Sequence, residues 1–356
     1  MELNVREILK DASEKHASDI FLIGGLPLTY KIYGRLVKQD DKRPGPATLE
    51  TAIKDLYQLA ERKYTLNSEK MEDDFSLSLS GIARFRINTF MQRGTASAII
   101  RILEFGIPSA EDMHIPESVL DIADLSTGMV LVTGPTGSGK STTIACIIDK
   151  INHKYDKNII TLEDPIEYLH PHDNSIVIQR EINTDTNNYL DALRSALRES
   201  PDVLFVGEMR DAETMSIAMT AAETGKLVIS SLHTISAVDT IDRIIDGFNA
   251  NQQQQIRMQL SRVLKYIVCQ QLVTGVDGKL YPAFEIVKVT PAIANLIREG
   301  KAFQLTSFVQ AGKNEGMCTM NDSLEKLVDE GYVDFEQALK YSDNKNLLKR
   351  HLENKK

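Results

Sequence analysis

The strongest constraint on the fold of this chain is a glycine-rich stretch, Gly134-Pro135-Thr136-Gly137-Ser138-Gly139-Lys140-Ser141-Thr142, read together with its flanks. It fits the pattern G-x-x-x-x-G-K-[ST]. The apolar run "MVLVT" precedes it and the helical run "STTIACIIDKIN" follows it, so the motif spans a strand-to-helix turn. Gly134, Gly137 and Gly139 let the main chain wrap until successive amides face phosphate oxygens, and the helix N-terminus adds its positive end. In that frame Lys140 reaches the β and γ phosphates of a nucleoside triphosphate, and the Ser141 hydroxyl is the expected ligand of Mg2+. A strand, loop and helix of this kind belong to a parallel sheet in an α/β domain.

The residues after 128 fit that domain. "MVLVT", "NIITLE" and "VLFVGE" are apolar until an acid or glycine ends them, as expected of strands covered on both faces. Hydrolysis needs an acidic group, expected at the carboxyl end of a strand beside the phosphate-loop strand. "ITLEDPIEYLH" supplies Glu163, Asp164 and Glu167, and "PDVLFVGEMRD" supplies Glu208. Glu208 is read first and Glu163 second as the group that positions or deprotonates the attacking water. Gly207 stands where many such enzymes carry an aspartate before the glutamate. "TAAETGKLVISSLHT" runs a further strand into His233, either a γ-phosphate sensor or a strand cap. "NQQQQIRMQLSRVLKYIVCQQLV" is expected as one long helix, followed by a hairpin around Asp277-Gly278 and short helices.

Residues 1–105 read as a separate small α/β module. "VREILKDASEKHA" and "TLETAIKDLYQLAERKY" have helical spacing, while "PLTYKIYGRLVK" and "FSLSLSGIARFRINTF" alternate as strands. Phe75, Leu77 and Leu79 share one face, and Phe85 with Ile87 are buried on the next strand, so Arg84 and Arg86 point out together. The stretch 84–101 carries Arg84, Arg86, Arg93 and Arg101 and no carboxylate, although the chain has a net charge of -9. Enzymes with this phosphate loop often complete their charge balance with an arginine from another subunit. The competing expectation is a solvated basic face paired with local carboxylates. "EFGIPSAEDMHIPE", with its prolines and weak periodicity, reads as a connector over 106–118 to a second domain over 119–356.

Composition narrows the partners. With 41 basic against 50 acidic residues, nucleic acid is not the expected partner. Cys146, Cys269 and Cys318 form no C-x-x-C pair, so neither a four-ligand zinc site nor a disulfide framework is expected. No signal peptide and no run of 18 uncharged apolar residues is evident, so a soluble protein of a reducing cytoplasm is expected.

Taken in order, these segments resemble the secretion ATPase superfamily, and more narrowly the type IV pilus retraction ATPases of twitching motility. The resemblance rests on "HASDIFLIGGLPL", "GPTGSGKSTT", "TLEDPIEYLH", "PDVLFVGEMRD", "AAETGKLVISSLHT" with "SAVDTIDRIID", and "PAIANLIREGK". It implies a PAS-like N-terminal domain, a RecA-like ATPase domain with C-terminal helices, and a homohexamer whose ATP sites lie between subunits. Glu163, Glu208 and His233 carry over as site residues, and Arg86 and Arg101 as arginines acting on a neighbour's nucleotide. A cytoplasmic motor docked on the inner-membrane platform protein of the pilus machine is also implied. The segment Ile297 to Lys301 is similar to one associated with retraction. Two departures stand out: Lys226 replaces a histidine usual in the family, and Phe21 replaces another. The alternatives are a pilus-extension or type II secretion motor, a nucleotide-dependent accessory switch, and a nucleic-acid pump. The missing cysteine pairs and the short N-terminus weigh against the first alternative.

Overall fold

A computed structural model of the chain describes residues 3–67, 69–103 and 106–353. They fall into two compact units, Met1–Gly106 and Ile107–Lys356.

The first unit is a six-stranded antiparallel sheet in the order β3-β2-β1-β6-β5-β4. Its strands are β1 (Ala17–Leu22), β2 (Thr29–Ile32), β3 (Arg35–Lys38), β4 (Glu72–Leu79), β5 (Ala83–Gln92) and β6 (Thr95–Leu103). Alternation decides the faces: Phe75, Leu77, Leu79, Phe85 and Ile87 are buried in one cluster with Leu9 and Ala12 of helix Val5–Glu14 and Leu49, Ile53 and Leu56 of helix Pro46–Leu59. Asn4 caps the first helix by accepting from the Glu7 amide, and Pro46 opens the second at the position where no intrahelical donor is needed. One face of the sheet is thereby covered. Arg84 and Arg86, at the second and fourth positions of β5, lie on the other.

The second unit is built on a seven-stranded sheet, order β13-β12-β7-β11-β10-β8-β9. Its strands are β7 (Gly128–Thr133), β8 (Asn158–Glu163), β9 (Ile176–Glu181), β10 (Val203–Val206), β11 (Leu227–Leu232), β12 (Leu264–Thr274) and β13 (Leu280–Lys288). All neighbours are parallel except β13, which runs antiparallel to β12. Successive residues of one strand enter opposite cores, as a doubly covered sheet requires. Met129 and Leu131 pack toward helices Tyr189–Ala196, Ala212–Glu223 and Ala237–Asp246, while Val130 and Val132 pack against Ile144, Ile147 and Ile148 of helix Lys140–Lys154. A third cluster joins Val273, Tyr281 and Ala283 of the β12–β13 hairpin to Leu324, Leu327, Ala338 and Leu348 of the C-terminal helices.

Two readings of the sequence are corrected here. The long helix expected over "NQQQQIRMQLSRVLKYIVCQQLV" stops at Val263, and the rest is strand β12. The run rich in Val and Ile from Leu264 finds partners on both sides, β7 and β13, and that pairing outweighs its weak helical periodicity. The proline-containing stretch 107–118 belongs to the second unit instead of lying free between two domains. Ile115 is 8% exposed there, in the same cluster as Val119, and Pro108 accepts a hydrogen bond from the Cys146 thiol.

Candidate active site

The phosphate loop leaves the carboxyl end of β7 under tight steric control. Gly134 has φ +145°, and a Cβ there would sit 2.1 Å from the Gln270 carbonyl oxygen. Gly137 and Gly139, at φ +79° and +86°, hold the left-handed turns that aim the loop amides inward. Pro135 accepts from the Ser138 amide at 3.2 Å. The Ser138 side chain is buried, and among the described residues its hydroxyl has no partner. Thr142 shares a 2.8 Å hydrogen bond with the Tyr168 hydroxyl, and Thr143 donates to Gln270 Oε1 at 2.7 Å, tying the loop to β12. Lys140 Nζ donates to the Gly134 and Pro135 carbonyls at 2.8 and 3.0 Å. Burial lowers the Lys140 pKa, partly offset by Glu167 and Glu208. A half-dehydrated ammonium, a ring of amides and a spare buried hydroxyl fit a polyphosphate, which supplies the missing acceptors and negative charge.

The strand order differs in one respect from the sequence expectation. β7 lies between β12 and β11, and β11 leads into His233; β10, which leads into Glu208, and β8, which ends in Glu163, lie one and two places beyond β11. A strand beside the phosphate loop therefore carries the histidine. All four strand ends open on one cleft of about 190 Å³, lined by Thr136, Lys140, Ser141, Glu163, Glu208 and His233 among others.

Glu163 and Glu208 occupy contrasting environments in that cleft. Glu163 is 9% exposed, and its Oε1 accepts from Thr161 at 2.6 Å and from Gln179 Nε2 at 3.1 Å. Burial dominates these bonds and raises its carboxyl to about 7. Glu208 is more open. Its Oε2 accepts from Arg210 Nε at 2.8 Å, and its Oε1 lies 3.5 Å from His233 Nε2. His170 closes the buried side of the cleft, where burial lowers its pKa to about 4, so it stays neutral near pH 7.

Sequence reasoning passed over Gln179, Arg210 and Tyr189. Gln179 lies on β9, a strand that the sequence reading did not single out, and it bridges the His170 amide to Glu163. Arg210 could have been found, since residues two apart on an extended segment share a side. Ser141 lines the same cleft as Glu163, Asp164 and Glu208. Among the described residues no group of three or more His, Cys, Asp or Glu is arranged to hold a metal alone. An Mg2+ ion here would be held by the Ser141 hydroxyl, nucleotide oxygens and water, and would neutralise phosphate charge.

The arginines form a separate group in the first unit. Arg86 and Arg101 are direct cross-strand partners on β5 and β6. Arg86 Nη2 lies 2.8 Å from Asp74 Oδ2, and Arg101 Nε lies 3.3 Å from Asp19 Oδ1. Arg84 donates to Ser78, and Arg93 occupies the β5–β6 turn at φ +50°. Lys226 precedes β11, at the opposite end of that strand from His233, so the departure at this position lies away from the cleft.

Comparison with known proteins agrees with this architecture. The family described as "Type II/IV secretion system protein" matches residues 1–282. The type IV pilus retraction ATPase PilT of Pseudomonas aeruginosa is 41% identical over 336 residues, 94% of this chain and 97% of that one. A twitching motility protein of Neisseria gonorrhoeae is 44% identical over 277 residues, 78% of this chain and 74% of that one. A crystal structure of the pilus retraction motor PilT with bound ADP superposes with a TM-score of 0.89 at 44% identity, covering 98% of this chain and all of the other. Among the described residues no helix is long and apolar enough to cross a membrane. On the family match and these likenesses, the chain belongs to the Type II/IV secretion system protein family, among its PilT-like ATP hydrolases.

Proposed function

We propose that the chain is a Mg2+-dependent ATPase motor that works as a homohexamer and powers type IV pilus retraction by withdrawing pilin subunits. The observation that carries this reading is the convergence of Lys140, Ser141, Glu163, Glu208 and His233 on one cleft, with paired arginines on a separate unit. Lys140 and the amides of residues 134–142 bind the phosphates, and Ser141 holds the metal. Glu208 orients the water and takes its proton. Glu163, held by Thr161 and Gln179, keeps the adjoining acidic position. His233, 3.5 Å from Glu208, relays the state of the γ phosphate to that carboxylate. Arg86 and Arg101 of one subunit complete the charge around the nucleotide of the next, so that binding closes the interface and release opens it. The C-terminal helices transmit this movement to the inner-membrane platform protein of the pilus machine, on its cytoplasmic side.

The relatives named as a retraction ATPase, a twitching motility protein and a retraction motor support this direction of work over extension or secretion. The test is genetic and enzymatic. Deletion of the gene should leave cells with excess pili and no twitching, and a Glu208→Gln copy should fail to restore movement while its ATP turnover falls at least about a hundredfold. Restored motility with Glu208→Gln would refute the reading.

A further inference from the structure

Gly207 leaves a gap in the cleft that another side chain enters. Here β10 ends and the chain turns into Glu208, and a side chain at this position would point toward the carboxyl end of β8. A Cβ built on Gly207 would lie 2.9 Å from the Tyr189 hydroxyl oxygen, 3.0 Å from the Leu162 carbonyl oxygen and 3.5 Å from the Glu163 Cα. The phenol oxygen therefore stands over Gly207, in the space between the strand ends that deliver Glu163 and Glu208. Tyr189 is the first residue of helix Tyr189–Ala196, whose N-cap Asn188 accepts from the Asp191 amide, so its backbone is fixed by the helix start. Its ring lines the same cleft as Lys140, Ser141 and His233.

We propose that the Tyr189 hydroxyl is a further water-holding group of the hydrolytic site, accepting one hydrogen of the attacking water while Glu208 takes the other. The electrostatics favour that orientation. Burial first, and then Asp164, Glu208 and Glu163, raise the pKa of the phenol, with Arg210 opposing. The phenol thus keeps its proton throughout the working range, and the carboxylates draw that proton toward themselves. A lone pair on the oxygen is left for the cleft. A neutral oxygen suits this place, because a fourth carboxylate beside Asp164, Glu163 and Glu208 would add like-charge repulsion where negative phosphate must approach. Tyr189 and Gly207 are thus a matched pair: the glycine makes the room and the phenol fills it.

This inference rests on the ATPase reading above, and its test separates the two. Tyr189→Phe keeps the ring and removes only the oxygen. Its kcat for ATP should fall about tenfold, the scale of one hydrogen bond made in the transition state. KM, the dissociation constant of a fluorescent ATP analogue and the thermal midpoint should stay near the wild-type values. A Tyr189→Phe enzyme with kcat within twofold of wild type, beside an inactive Glu208→Gln enzyme, would overturn the role of the hydroxyl and leave the ATPase reading intact. A rise in KM or in the dissociation constant at unchanged kcat would overturn it too, by assigning the phenol to nucleotide binding. A wild-type protein with no ATP turnover above background would defeat the ATPase reading itself.

Discussion

Glu163 shows how burial sets the behaviour of a single acid. In the unfolded chain it titrates near 4.5, whereas in the fold it titrates at about 7 because the charged form is poorly solvated. The folded state therefore holds the proton more tightly than the unfolded state, and the contribution of Glu163 to stability is complete below pH 4.5. That contribution is lost as pH rises through 7, by on the order of 3 kcal/mol in full. Urea unfolding at pH 5 and pH 8 should show the wild-type protein losing stability over this range and Glu163→Gln losing markedly less. Equal losses in the two proteins would mean that Glu163 is solvated as an ordinary surface acid. Glu208 is less enclosed than Glu163 and is held by Arg210.

At the scale of elements, the meeting of the phosphate loop with β12 does most to set the site. The Gln270 carbonyl occupies the space a side chain at 134 would need, and its amide oxygen receives Thr143. Gly134→Ala should therefore cost several kcal/mol and weaken nucleotide binding, since the Gln270 carbonyl is fixed by sheet pairing. Gly225→Ala is the control: its φ is +91° but nothing lies within 4 Å of the added methyl, so about 1 kcal/mol is expected. Urea midpoints of the two variants should differ clearly in that order. This region also marks the limit of what could be read from sequence. The phosphate loop was legible because its glycines and lysine act through local geometry, and β7, β8, β10 and β11 because doubly buried strands leave uninterrupted apolar runs. Strand β12 was hidden. Its residues follow a helix without a break, and only long-range pairing with β7 and β13 makes them a strand. Gln179 and Tyr189 were hidden for the same reason, since their place in the cleft depends on contacts between β9, β8 and β10 that no local pattern encodes.

At the scale of the whole molecule, the chain separates its chemistry from its charge. The second unit holds the phosphate loop and the acids. The first unit presents Arg86 and Arg101 side by side, Arg86 in a half-exposed pair with Asp74 that costs little to exchange for a phosphate, and Arg101, itself exposed, paired with the buried Asp19. This division makes sense for an assembly in which one subunit completes the site of the next. Mixing two inactive proteins tests it most directly: Glu208→Gln, which keeps its arginines, and Arg86→Ala/Arg101→Ala, which keeps its acids. The account predicts that each alone is nearly inactive and that co-assembly restores ATP turnover, because an intact catalytic cleft then meets intact arginines across some interfaces. Mixtures no faster than the two separate proteins, or an arginine-deficient protein with wild-type turnover, would contradict it.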